Sequence, residues 1–497
     1  MGVGRRCPRA RARLQRSARD SCPRMNFHSL DYFLFLALVL GFWWLARRSS
    51  FRFVLLLVAS CVFYMAWNPG YLIFVLLSIG IDYMAGRGME TAPDERGRKA
   101  YLVLSLTTNL GLLGTFKYFN FFSDSVADAL HAFGATSVQP LHLDVLLPVG
   151  ISFYTFESLS YTIDVYRGRI PPTRSFWRFA CFITFFPHLV AGPIVRASEF
   201  LPQLDKPPRL TPSEVGEGTF LIATGLIKKI VFADYLAVNL IDRVFDDPTA
   251  YSSLEVMVGL YAYTMQIFCD FSGYTDVARG SGLLFGLRLP ENFDRPYLAQ
   301  SPAEFWRRWH MTLSTWLRDY LYFPLGGSQV PPLRAYFNLW LTVALVGLWH
   351  GAAWTFVVYG ILHATAMVVH RFFYRRSGRT SETRDAWPLR ALKICGTLHF
   401  VVLSRIFFRA SSLENAGAVM RQLGEGSTDL FHVNTSVWAL LLLGYLAHFT
   451  PKGIFEGIKD GFLRLPAPAQ GAVLATVACG LMLVATEDVV PYIYFQF

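Results

Sequence analysis

Two histidines stand in surroundings that are otherwise poor in titratable groups. The run LTVALVGLWHGAAWTFVVYGILHATAMVVH, residues 341–370, holds thirty residues without one Asp, Glu, Lys or Arg, and His350 sits near its middle. Burial disfavours the imidazolium, so a histidine there is a neutral base. The second is His310, in AEFWRRWHMTLSTWLRDYLYFPLGG. There Arg307, His310, Ser314 and Arg318 fall at i, i+3, i+7 and i+11, one stripe of a single α-helix over 306–320. Trp309, Leu313, Trp316 and Tyr320 occupy another face. One side of this helix is expected to pack in a bundle, and the other to present His310 with its flanking cations to a cavity. A dry imidazole can take a proton from a hydroxyl, pass protons along a relay, or serve only as a core residue bonded to a backbone carbonyl.

The polar residues around them extend the pattern. GLIKKIVFADYLA puts Lys228, Lys229 and Asp234 in an apolar run, and MQIFCDFSGYTDVARGSGLLFG adds Asp270, Asp276 and Arg279. Such groups at membrane depth cost roughly 2.5–3.5 kcal/mol each and line cavities when they occur, which places the working part at about 225–365. Asp270 and Asp276 are six residues apart, on opposite faces if helical, so salt bridges to cations such as Arg279 account for them better than a shared metal or acid–base site. Lys228 and Lys229 read as snorkelling residues, or as a cationic entrance for an anionic donor. His363 lies thirteen positions beyond His350 and so on a different helical face. His370 reads as interfacial, His188 and His399 as structural.

These residues need a scaffold, and composition supplies its class. The chain of 497 residues is 53% hydrophobic, 16% aromatic and only 16% charged, against roughly 25% charged in soluble domains. A span takes about 20 apolar residues. Apolar stretches start near Tyr32, Phe51, Tyr71, Tyr101, Val145, Phe176, Gly218, Val256, Tyr336, Leu389, Val437 and Gly471, and with one or two of these re-entrant roughly eleven spans are expected. The fold class is therefore all-α, a polytopic helical bundle without a soluble domain. More polar connections lie at 202–217 and 374–388.

Eight Arg and one Asp in residues 1–24 carry seven of the eleven net positive charges. No apolar core separates them from Met25, so they are not a secretory signal. Arg47, Arg48 and Arg52 follow the first stretch, Arg87, Arg96, Arg98 and Lys99 the third, and Arg167, Arg169, Arg174 and Arg178 the fifth. By the positive-inside rule these loops are cytoplasmic, and the basic extension would then have to cross the membrane. A start at Met25 is the easier reading, leaving 25–497 as one domain. The seven cysteines form no C-x-x-C pair and suggest neither zinc nor redox chemistry. No phosphate-binding glycine loop, dinucleotide fingerprint or serine-hydrolase elbow is present, and nothing points to nucleic acid.

QIFCDFSGYTDVARG, ENFDRPYLAQSPAEFWRRWHMTLSTWLRDYLYFPLGGS and GLWHGAAWTFVVYGILHA together resemble the membrane-bound O-acyltransferase family, in its bacterial exopolysaccharide O-acetylating, alginate-type branch. PVGISFYTFESLSYTIDVYRG, FFPHLVAGPIVRASEFLPQL and GLIKKIVFADYLA resemble the same branch. The resemblance runs from about Met25 to Val369 and more loosely beyond. It implies a ring of helices around a thin centre, with the acyl donor entering from one face and the acceptor from the other. It makes His350, in the buried WHG, the invariant histidine and general base, and His310, in RWH, the second catalytic residue. Arg307 and Ser314 would assist substrate binding. The implied reaction is acetyl transfer from a cytoplasmic thioester, acetyl-CoA, to hydroxyls of an exported polysaccharide. Transfer is direct or through a periplasmic acetyltransferase or export-complex partner, in the bacterial inner membrane among its lipids, with no permanently bound cofactor or metal. The competing readings are D-alanyl or lipid O-acyl transfer within the family, and a transporter using His310 and His350 as a proton relay.

Overall fold

The computed structural model describes residues 25–46, 49–378, 385–485 and 490–495. The basic extension 1–24, with Cys7 and Cys22, and the pair Arg47 and Arg48 lie outside the described residues. The chain is an all-α bundle. Among the described residues the only β pairing is an isolated bridge between Phe293 and Trp309.

The apolar stretches fold in two ways. Among the described residues four helices are long and apolar enough to cross a membrane: Pro69–Thr91, Trp354–Arg376, Trp387–Arg409 and Ala467–Val484. The pair Thr435–Phe449 and Lys452–Arg464, bent by 95°, makes a fifth if counted as one span. Leu30–Leu45 and Phe51–Met65 are shorter apolar helices. Other expected stretches are interrupted where they approach the centre. The one from Phe176 ends at Thr184 and restarts as the single turn Phe186–Leu189.

A 32-residue helix, Ser253–Leu284, forms the axis, opened by a capping box in which Ser252 and Glu255 satisfy each other's backbone N–H groups. Pro212–Leu226 packs along it through glycines. A Cβ on Gly225 would lie 2.6 Å from the Gly273 carbonyl oxygen, and one on Gly280 would lie 2.5 Å from that of Gly218. Only paired small residues let two helices approach so closely.

The 341–370 run is two helices rather than one uninterrupted stretch. Pro332–His350 ends at His350, extended backbone follows through Ala353, and Trp354–Arg376 returns antiparallel. Close packing forces the hairpin. A Cβ on Gly347 would meet the Phe356 carbonyl oxygen at 2.2 Å, and one on Gly351 the Phe356 ring at 2.2 Å. His350 is therefore at a helix end, where backbone carbonyls lack partners. Lys117 Nζ donates to the Trp349 carbonyl at 2.6 Å and Tyr118 Oη to that of Leu348 at 3.0 Å.

Basic loops gather on one face. Arg98 donates to the Tyr166 carbonyl, Arg174 pairs with Glu90, Arg167 donates to the Asp319 carbonyl, and Arg371 donates to Tyr322 Oη. Arg178 stacks over Phe53, beside Arg52. Arg52 and the clusters after the third and fifth apolar stretches thus share this face with the basic end of Trp354–Arg376.

Candidate active site

His310 departs from the expected helix. Pro302–Arg308 stops, His310 takes φ 43° and ψ 56°, and Met311–Leu317 begins in a new direction before a π-helical turn at Arg318–Tyr322. A left-handed non-glycine residue is uncommon and marks a held conformation. Asn292 holds it. Its backbone carbonyl accepts from Met311 N at 3.0 Å, and its Oδ1 accepts from Thr312 N at 3.2 Å and Thr312 Oγ1 at 2.9 Å. His310 Nδ1 lies 3.2 Å from the same Oδ1. A carboxamide oxygen only accepts, so Nδ1 carries the proton and Nε2 keeps its lone pair. His310 Nε2 has no hydrogen-bond partner.

The single stripe therefore does not exist. Arg307 and Arg318 are exposed, and Arg318 pairs with Asp319 at 2.8 Å. Ser314 is partly buried and donates to the Trp309 carbonyl at 3.4 Å. The turn at His310 separates these groups from the buried imidazole. Of the four expected site residues, only His310 and His350 come together.

They meet across two aromatic rings. The Trp349 centroid is 5.6 Å from the His310 ring and 5.1 Å from that of His350. Tyr494, from the carboxyl-terminal segment, is 6.2 Å and 5.7 Å from the same two rings. Both imidazoles are fully buried, and neither His350 nitrogen has a hydrogen-bond partner. A core histidine kept for structure would spend its nitrogens on hydrogen bonds. His363 does so: its Nδ1 accepts from Trp306 Nε1 at 3.3 Å, and its Nε2 lies 3.0 Å from Ser404 Oγ.

Two cavities approach this pair. One of about 450 Å³ is lined by Lys117, Gly351, Thr355, Phe408, Arg409 and Ile493, at the end of the hairpin away from the basic face. The other, of about 350 Å³, runs from Glu217, Arg279 and Lys459 to Asn292, Phe293 and His448. It lies beside Glu214 and Arg288, which pair at 2.8 Å. A cleft of about 10 Å³ reaches His350 itself, between Lys117, Ser152 and Tyr494.

The buried charges form ion pairs, with different partners from those expected. Lys229 is fully buried rather than snorkelling and pairs with Asp234 at 2.7 Å and Asp270 at 2.8 Å. Lys228 pairs with Asp276 at 2.6 Å, while Arg279 turns to Glu291. Lys229 and Asp234 are five apart, the repeat of the π-helical stretch Ile227–Asp234 that carries both. Asp270 also accepts from Ile493 N at 2.8 Å, and Lys229 lies 4.3 Å from the Tyr492 ring centroid. The triad thus anchors the segment that brings in Tyr494. His188 is paired with Glu157 at 3.0 Å, both fully buried. No group of three or more His, Cys, Asp or Glu suited to a metal ion occurs among the described residues.

Sequence reasoning missed Lys117, Asn292 and Tyr494. Lys117 carried the signal used for Lys228, a charge in an apolar run; Asn292 and Tyr494 carried none.

The membrane-bound O-acyltransferase family model matches residues 70–411. A probable alginate O-acetylase of Azotobacter vinelandii is 37% identical over 94% of this chain and 98% of its own length. A peptidoglycan O-acetyltransferase of Helicobacter pylori is 36% identical over 78% and 77%. A teichoic acid D-alanyltransferase of Bacillus subtilis is 30% identical over 52% and 68%. Two buried imidazoles between opposed cavities, in a helical chain matched across most of its length, make this protein an O-acyltransferase of the membrane-bound O-acyltransferase family.

Proposed function

We propose that the protein transfers acetyl groups from a cytoplasmic thioester, acetyl-CoA, to hydroxyls of an exported alginate-like polysaccharide, in the bacterial inner membrane. The observation that carries this reading is the meeting of His310 and His350 at Trp349 and Tyr494, between cavities on opposite sides. The positive-inside rule puts the basic face in the cytoplasm. The cavity beside Asn292 then receives the donor, and the one beside Gly351 the acceptor. The relatives named for O-acetylation align over more of the chain than the D-alanyltransferase does, which favours acetyl over D-alanyl. Family membership removes the transporter reading.

In the proposed reaction His350 accepts the hydroxyl proton as the acceptor oxygen bonds to the thioester carbonyl carbon. The carbonyl pair moves onto oxygen, then returns as the C–S bond breaks, and the departing thiolate takes the proton from His350. General-base help of this kind is worth about 10²–10⁴-fold, and closure by aromatic rings limits loss of the acetyl group to water. His310, its Nδ1 proton committed to Asn292, orients the donor through Nε2. Arg307 and Ser314 have no part in this step. The acceptor is the polysaccharide itself or a periplasmic acetyltransferase that passes the group on.

The test is vectorial. Protein in sealed vesicles, with labelled acetyl-CoA on the basic-face side and uronic-acid oligosaccharides on the other, should acetylate the oligosaccharide. Addition of a periplasmic partner should be required if transfer is indirect. Label reaching neither the sugar nor a partner would refute the reading.

A further inference from the structure

Arg405 is the largest charged side chain sealed inside the protein, with no exposed surface. It lies in Trp387–Arg409, and no carboxylate lies within ion-pair distance of it among the described residues. Its guanidinium carbon is 4.7 Å from the Trp309 ring centroid, 5.2 Å from that of Phe408 and 5.7 Å from that of Tyr359. Nη1 donates to Tyr359 Oη at 3.3 Å, while Nε and Nη2 have no hydrogen-bond partner. Aromatic faces offset part of the cost of a buried cation, but two unpartnered nitrogens carrying three N–H groups in a dry interior remain expensive. A charge kept at such cost implies a partner that is present only part of the time.

The surroundings identify that partner. Phe408 and Tyr359, which touch Arg405, also touch His350, with centroids 5.0 Å and 6.2 Å away. Trp309, the third ring, immediately precedes His310. The reaction needs positive charge where the carbonyl oxygen becomes negative. His310 cannot donate there, because its one proton faces Asn292. His350 must be unprotonated to act as base, and Lys117 spends its three N–H groups on the Trp349 and His350 carbonyls and the Ser152 hydroxyl.

We propose that Arg405 is a further catalytic residue, whose free guanidinium N–H groups hold the oxyanion formed when the acceptor oxygen adds to the acetyl thioester. This rests on the acyl-transfer reading above. Electrons balance within the step: the carbonyl π pair goes onto oxygen beside Arg405 as the C–O bond forms, and returns as the C–S bond breaks and the thiolate leaves.

The experiment compares wild type, His350→Ala, Arg405→Lys, Arg405→Gln and Arg405→Met in acetyl transfer and thermal unfolding. Arg405→Gln and Arg405→Met should fold, with kcat lower by about 10²–10³-fold, the usual loss for an oxyanion donor. Donor KM should stay within about threefold. Arg405→Lys, which keeps the charge, should recover part of kcat. Removal of an unpaired buried charge should leave the unfolding midpoint of Arg405→Met at or above that of wild type. Turnover within about threefold of wild type in Arg405→Gln would overturn the proposal while the acyl-transfer reading stood, with His350→Ala inactive beside it. Failure of both neutral variants to fold would mark the arginine as structural and overturn it too. A wild type without acetyl transfer would remove the reading on which it rests.

Discussion

His350 and His363 are both buried imidazoles in one hairpin, on the same Tyr359 ring, whose centroid is 6.2 Å from the first and 4.5 Å from the second. Their nitrogens differ: those of His350 are unused and those of His363 are both engaged. His363→Ala should therefore lower the unfolding midpoint, since buried polar partners left unsatisfied cost about 1–3 kcal/mol each. His363→Gln should recover part of the loss. Differential scanning of purified variants decides it, and an Ala variant as stable as wild type would refute the structural role. Both histidines were visible in the sequence, but helical spacing alone put His363 on another face and so out of account. What separates a reactive histidine from a structural one is the partner set, which is long-range and leaves no local pattern.

The elements place these residues by breaking. A wheel drawn over 306–320 assumes one continuous helix, and no glycine or proline there warned against it. The break comes from Asn292, whose oxygen acceptors gather His310, Met311 and Thr312 into a left-handed turn. The hairpin at His350 was not read either, although a thirty-residue apolar run exceeds the roughly 20 that a span requires. Gly347, Gly351 and Gly360 mark the close approach. Asp270 and Asp276 were legible as ion-paired, but Lys228 and Lys229 read as snorkelling, because which cation takes which carboxylate depends on the π-helical register of Ile227–Asp234. Asp270 joins that cluster to the carboxyl-terminal segment through Ile493 N. Asp270→Ala should speed deuterium uptake in 490–495 while Ser253–Leu284 stays protected, because Asp234 still pairs with Lys229. Unchanged exchange at 490–495 would show that the carboxylate does not hold the segment.

For the whole molecule, the all-helical class and the shared face of the Arg clusters followed from composition and loop charge, which are summed properties that tolerate local error. The division into complete and interrupted helices did not, because it depends on which apolar runs pack around the centre. The sidedness is testable. With other cysteines removed, Glu95→Cys in intact cells should resist a membrane-impermeant maleimide and react once the membrane is opened; labelling from outside would invert the topology. The central claim is that His350 is the base for acyl transfer, and the direct test is the acetylation rate of His350→Ala and His350→Gln at matched amounts of folded, membrane-inserted protein. Loss of a general base should lower both by about 10²–10⁴-fold, with Gln no better than Ala because its amide cannot accept the proton. Near-normal acetylation in both variants at normal abundance, or full recovery by Gln, would contradict the account.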